Sequence, residues 1–185
     1  MLLACMLVPM TAQASDVDAL KAGVFNPARE APDFSVRGSD GVALTLGHYR
    51  GKVVVLGFGY TSCPNVCPAT LAVLAQAHRK LGALGSQVQV IYLTVDPERD
   101  SPERLKQYLG AFDPSFVGGT GSAAQMAAVR LSYGVTAQKV GAGSDYGVAH
   151  SSFIYLITRE GKLRALMPFG HKADDYVHDI SMLLN

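Results

Sequence analysis

An apolar run, Val53-Val54-Val55-Leu56-Gly57-Phe58-Gly59-Tyr60, leads directly into Thr61-Ser62-Cys63-Pro64-Asn65-Val66-Cys67-Pro68 and then into a helical stripe. No other stretch constrains the chain so tightly. A strand apolar on both faces has to be central, covered above and below. The stripe after it, Leu71, Leu74, Ala75, His78 and Leu81 up to Gly82, repeats at helical spacing from about Ala69. The unit is therefore a buried strand, a short loop carrying two thiols, and a helix. Val88–Val95 supplies a second central strand. Ser101-Pro102 then opens another helix, with Ser101 as its N-cap and Pro102 in its first position.

The flanking elements complete the layout. Ala31–Val36 and Val42–Leu46 read as a hairpin around Gly38-Ser39-Asp40-Gly41. Phe116–Gly119 reads as a short strand, and a helix capped by Ser122 runs through Tyr133 to Gly134. A glycine-rich loop, 141–147, leads into one strand, Val148–Ile157. Leu163–Met167 pairs back on it, and Asp174–Leu184 is the last helix. This order, a β-hairpin, then βαβ, then αββα, predicts an α/β domain with a mixed central sheet flanked by helices.

The 185 residues suit one domain, and an apolar fraction of 49% can fill its core. A formal net charge of +1 leaves no electrostatic case for nucleic acid. The chain opens with a short apolar run ending in Ala12-Gln13-Ala14, the small-x-small pattern of a signal-peptidase site. Residues 1–14 are expected to be a signal peptide, 15–30 a linker and 31–185 the folded domain. Leu2-Leu3-Ala4-Cys5 also resembles a lipobox, but cleavage after Ala14 is the favoured reading. The mature chain would then keep only Cys63 and Cys67 of the three cysteines.

The two cysteines carry the chemistry. A thiol at a helix N-terminus meets unpaired backbone N–H groups and the positive dipole end, and both favour thiolate. Positions i and i+4 share a helix face, so the sulfurs converge if the helix begins between them. Pro68 suits a first helical turn, and Pro64 keeps Cys63 in the loop. Cys-x-x-x-Cys is one residue longer than the thioredoxin-type redox motif. Two convergent soft sulfurs suit Cu(I), a disulfide, or half of a zinc site. A purely structural bridge would close so short a loop that it would stabilise little.

Taken with Val95-Asp96-Pro97-Glu98-Arg99-Asp100 and with Tyr146 through His150-Ser151-Ser152, the cysteine block resembles the Sco/SenC copper-chaperone family. The three blocks follow the family's order and span about Ala31 to the C-terminus. The resemblance implies a thioredoxin-like fold with an added N-terminal β-hairpin. It implies an exported or membrane-anchored protein serving assembly of the CuA centre of cytochrome c oxidase. It also implies copper held by Cys63, Cys67 and His150, a donor set that suits Cu(I) or, with a further weak ligand, Cu(II). The expected partners are the oxidase subunit carrying CuA and other periplasmic copper or thiol-redox proteins. The expected place is the periplasm or the extracytoplasmic face of the inner membrane, with membrane contact only through a lipid or an uncleaved N-terminal anchor. Asn65 stands where the family commonly has an acidic residue, and Ala149 where it often has Asp, so this site is less anionic.

The residues support His150 independently. It begins the strand after a glycine-rich loop, at a sheet end where sites gather. Two sulfurs and an imidazole suit copper, whereas structural zinc wants four protein ligands. His171, after Pro168-Phe169-Gly170, is the best rival; His48, His78 and His178 read as solvated or packed rings. Asp96 and Arg99 are candidates for supporting the site from behind or for docking a partner, weighed evenly against simple turn chemistry.

The competing function is a thiol-disulfide oxidoreductase of the periplasm that keeps oxidase cysteines reduced, using Cys63 and Cys67 as its redox pair. Ala31-Pro32-Asp33-Phe34 also resembles a peroxiredoxin opening, but Cys63 lacks the proline-threonine frame and activating arginine of that site.

Protein isolated from its native host is expected to begin at Ser15, read by N-terminal sequencing. An intact Met1 on cytoplasmic material would contradict export, and a diacylglyceryl mass on Cys5 would replace cleavage after Ala14 with anchoring.

Overall fold

The computed structural model describes residues 19–185. The expected leader, 1–14, and Cys5 lie outside the described residues. In chain order the elements are β1 (Gly23–Glu30), β2 (Ser35–Gly38), β3 (Ala43–Thr45), β4 (Val53–Gly59), α1 (Val66–Leu81), β5 (Val88–Thr94) and α2 (Pro102–Gly110). There follow β6 (Val117–Thr120), α3 (Ala123–Ser132), β7 (Ala137–Val140), β8 (Gly147–His150), β9 (Ile154–Ile157), β10 (Lys162–Met167) and α4 (Ala173–Leu184).

Eight strands form one sheet in the order β1-β10-β9-β4-β5-β6-β2-β3. β4, β5 and β6 run parallel, and the outer pairings are antiparallel. Every residue of β4 and β5 is buried, as the two-sided apolar runs require. α1 packs with α4, and α2 lies over β6. Leu56, Leu71, Leu74, Ile91, Leu93, Leu156 and Met167 are among the fully buried side chains between these layers. The hairpin β2–β3 joins the far edge through β6. The fold is thus the mixed, helix-flanked α/β architecture with an added hairpin that the sequence predicts.

Local chemistry sets the helix starts. Ser101 accepts from the Arg104 amide and Ser122 from the Gln125 amide, each as an N-cap. α1 begins at Val66, three residues ahead of the expected Ala69, and takes in Cys67 and Pro68. Proline fits there because a first-turn N–H has no intrahelical partner to lose.

Three expectations need correction. The segment expected as linker, 15–30, contains β1, so the folded domain begins ahead of Ala31. β1 is an edge strand carrying Pro27, with a register break between Val24 and Arg29, so it shows none of the alternation that marks a strand in sequence. The strand expected over Val148–Ile157 is two strands in different sheets. Its polar middle, Ser151-Ser152, turns the chain out of the small β7–β8 ribbon before Ile154 enters the main sheet. His150 therefore ends β8 rather than beginning a strand.

The N-terminal edge is tied to α4 by a buried charge. The Asp179 carboxylate is fully buried and accepts from the Lys21 and Ala22 amides at 2.8 and 2.9 Å. Asp179→Ala leaves both donors without that acceptor. It should lower the unfolding free energy by about 2 kcal/mol in urea denaturation and speed exchange of the Ala22 amide. Unchanged stability and exchange would contradict the tie.

Candidate metal centre

β4 delivers Tyr60 to Cys63 beyond the end of the sheet, and a carboxylate holds this loop in place. Asp100 is 1% exposed. It accepts from the Thr61 amide at 3.1 Å, the Thr61 hydroxyl at 2.5 Å and the Thr94 hydroxyl at 2.7 Å. Arg104 donates to the Thr61 hydroxyl oxygen at 2.6 Å and to Ser62 Oγ at 3.0 Å. A buried carboxylate with this many donors fixes the loop's position and stays satisfied itself.

The two sulfurs sit in different surroundings. Cys63 is in the loop and partly exposed, and its Sγ accepts from the Cys67 amide at 3.4 Å. The Asn65 side chain makes no cap hydrogen bond, so the Cys63 sulfur takes up a first-turn donor of α1. Burial pushes the Cys63 thiol up, but hydrogen bonds from the Cys67 amide and side chain and from the Asn65 and Val66 amides outweigh it and leave it below its ordinary value. Cys67 is 1% exposed, and burial pushes its thiol up to about 12, offset in part by the Tyr92 hydroxyl and the Tyr60 backbone. Room for this packing comes from Gly59. A Cβ there would strike the Tyr92 hydroxyl and stand 2.8 Å from Cys67 Sγ.

His150 reaches the same place from the end of β8. Its Nε2 lies 3.6 Å from Cys67 Sγ, across 83 residues of sequence. Its Nδ1 lies 2.8 Å from the Ser151 carbonyl oxygen, which can only accept, so Nδ1 carries the proton. In the neutral ring Nε2 then presents its lone pair towards the sulfur. Burial lowers the His150 pKa and favours that neutral form. The Tyr60 ring stands edge-on to the imidazole at 6.0 Å, and its hydroxyl accepts from the Val148 amide at 3.1 Å.

Two soft sulfurs and a neutral imidazole fit copper by donor chemistry. Among the described residues, however, no three His, Cys, Asp or Glu side chains already surround one point at metal-ligand spacing. The set is a thiol–imidazole pair with a second thiol beside it, which a metal would have to draw together.

The other candidates lie elsewhere. His171 pairs with Asp175 at 3.3 Å beside a groove of about 440 Å³ between α1 and α4. His78 sits between Asp113 and the Gly85 carbonyl, His178 against Asp179, and His48 edge-on to Tyr49. Asp96 and Arg99 hydrogen-bond to neither sulfur nor to His150. They bind each other and Tyr146. Neither Asp100 nor Tyr92 carries a site signal in the sequence. Asp100 directly precedes the N-cap Ser101 and looks like helix-entry chemistry, and Tyr92 is one apolar residue in a central strand.

The chain matches the SCO1/SenC family model over residues 24–185. It is 41% identical to the bovine mitochondrial protein SCO2 homolog over 133 residues, which cover 70% of this chain and 50% of that protein. It thus spans about half the length of that relative. It superposes on copper-bound ScoI of Bradyrhizobium japonicum with a TM-score of 0.78 at 35% identity, covering 84% of this chain and 99% of that one. BsSco, a member of the Sco family of cytochrome c oxidase assembly proteins in which a disulfide switch was identified, aligns with a TM-score of 0.67 at 27% identity over 85% of this chain and 94% of its own. These likenesses confirm the thioredoxin-like fold, and with a family match running from the first strand to the C-terminus, the chain belongs to the SCO1/SenC family.

Proposed function

We propose that this domain carries copper as cargo, held by Cys63, Cys67 and His150, and hands it over during assembly of the CuA centre of cytochrome c oxidase. The observation that carries the reading is the 3.6 Å approach of His150 Nε2 to Cys67 Sγ, with Nδ1 committed to a backbone carbonyl. The fold brings these atoms together from residues 83 positions apart. The copper in Bradyrhizobium ScoI and the oxidase-assembly role of BsSco's family support the same cargo and destination. Cu(I) is the favoured state, since both sulfurs are soft donors, and the imidazole extends the set towards Cu(II). Cys63 is the more exposed sulfur, so it is the ligand an acceptor thiolate meets first. The domain works outside the cytoplasm, at the periplasmic face, and its acceptor is the oxidase subunit carrying CuA.

A second reading has its own observation. The two thiols are unequal: Cys63 is accessible with a lowered pKa, while Cys67 is buried with a raised one. That pairing of an attacking and a resolving sulfur suits thiol-disulfide exchange, and BsSco contains a disulfide switch. The domain on this reading reduces oxidase cysteines before they receive metal.

The readings separate at His150. Loss of either sulfur, Cys63→Ser or Cys67→Ser, should weaken Cu(I) binding beyond the roughly 100-fold typical of losing a residue that only supports a ligand. His150→Ala should weaken Cu(II) binding most and leave the Cys63–Cys67 couple at a similar potential, measured by anaerobic competition titration and thiol redox titration. Wild-type affinity in either serine variant would remove the copper site. Restored oxidase activity by His150→Ala in cells lacking the native gene, with copper binding verified as lost, would transfer the function to thiol exchange.

A further inference from the structure

β7 and β8 carry His150, yet they are not part of the main sheet. A lone two-stranded ribbon is marginal in water. The position of the imidazole over Cys67 therefore depends on what fastens the ribbon to the body of the domain. Near its tip, the Tyr146 hydroxyl donates to Asp96 Oδ1 at 2.7 Å. Arg99 Nε donates to Oδ2 of the same carboxylate at 2.5 Å, and the Arg99 guanidinium lies 3.7 Å from the centre of the Tyr146 ring. Arg99 Nη1 also donates to the Ser144 carbonyl at 3.3 Å. The Lys139 ammonium stands 4.6 Å from the Tyr146 ring and pairs with Glu98. Asp96, Glu98 and Arg99 all belong to the turn after β5, while Lys139 is in β7 and Ser144 and Tyr146 are in the loop that joins β7 to β8.

We infer that Tyr146, gripped between Asp96 and Arg99, is a positioning residue that seats the ribbon and so sets His150 over Cys67. This rests on the reading that His150 holds copper. The grip is also releasable. Closing it buries Arg99 Nη2 without a hydrogen-bond acceptor. The faces of Tyr146 and Tyr60 compensate that donor only in part. A seat of limited strength lets the imidazole swing off the metal, which a carrier has to allow at hand-over, while the sulfurs stay fixed by α1 and Asp100.

The test uses the full domain in wild-type, Tyr146→Phe, Tyr146→Ala and His150→Ala forms. Amide exchange is followed at Val148, on the ribbon, and at Leu156, in β9, without metal. Release of Cu(I) to a chelator is followed after loading. Tyr146→Phe loses only the hydroxyl and should speed Val148 exchange and Cu(I) release by roughly tenfold. Tyr146→Ala also loses the ring and should speed both further. Leu156 exchange and the melting temperature should stay at wild-type values. The inference is overturned if Val148 exchange does not change, or if Leu156 exchange rises with it, which is general destabilisation. It is equally overturned if Val148 exchange rises and copper release does not, while His150→Ala releases faster than wild type. If His150→Ala releases copper at the wild-type rate, the reading that His150 holds copper fails instead, and Val148 exchange alone decides whether Tyr146 seats the ribbon.

Discussion

The parallel pairing of β4 with β5 sets the geometry of the whole site. Its register puts Gly57 beside Tyr92 and Gly59 beside Thr94. Tyr92 leans across β4 to bring its hydroxyl to Cys67, because Gly59 offers no Cβ to block it. Thr94, two residues on, points its hydroxyl at Asp100 and receives the Asp96 amide. A slip of one residue would turn both side chains to the opposite face and leave the cysteine loop without its floor or its anchor. The apolar content of these two strands therefore does more than fill a core. It holds a register on which a sulfur, a phenol and a carboxylate all depend.

The turn after β5 then holds both segments that bring candidate ligands. Asp100 ties down the loop of Cys63 through Thr61, and Asp96 ties down the ribbon of His150 through Tyr146. Both carboxylates are almost wholly buried. Two segments far apart in sequence are thus positioned against one short piece of backbone. The attachments differ in kind. The loop is held through Asp100 and Arg104 and runs on into α1, whereas the ribbon is held through Asp96 and Arg99 at its tip and by the Tyr60 hydroxyl on the Val148 amide.

Much of this was legible in the sequence where a local rule carries it. The central strands, the N-caps Ser101 and Ser122, and Pro68 in the first turn of α1 each follow from a few neighbouring residues. The cysteine pair was legible because its spacing and helix entry are local too. His150 needed the family resemblance as well as its place after a glycine-rich loop, since nothing local says which ring meets Cys67 from 83 positions away. The misreadings arose where tertiary contacts override pattern. β1 has no alternation because it is an edge strand broken at Pro27, and it is strand only because β10 pairs with it. Val148–Ile157 looked continuous because a β-like composition does not reveal that its two halves join different sheets. Asp100 has no local signal because its three donors come from Thr61 and Thr94, outside its own turn.

Copper carriage by this fold requires two sulfurs and one imidazole around a single copper ion. X-ray absorption at the copper edge of the domain, reduced and loaded anaerobically with one Cu(I), reads that ligand set directly. The account predicts two sulfur scatterers and one imidazole, with the imidazole signature lost in His150→Ala and both sulfurs kept. A shell of nitrogen and oxygen without sulfur would contradict it, as would an imidazole signature that survives in His150→Ala.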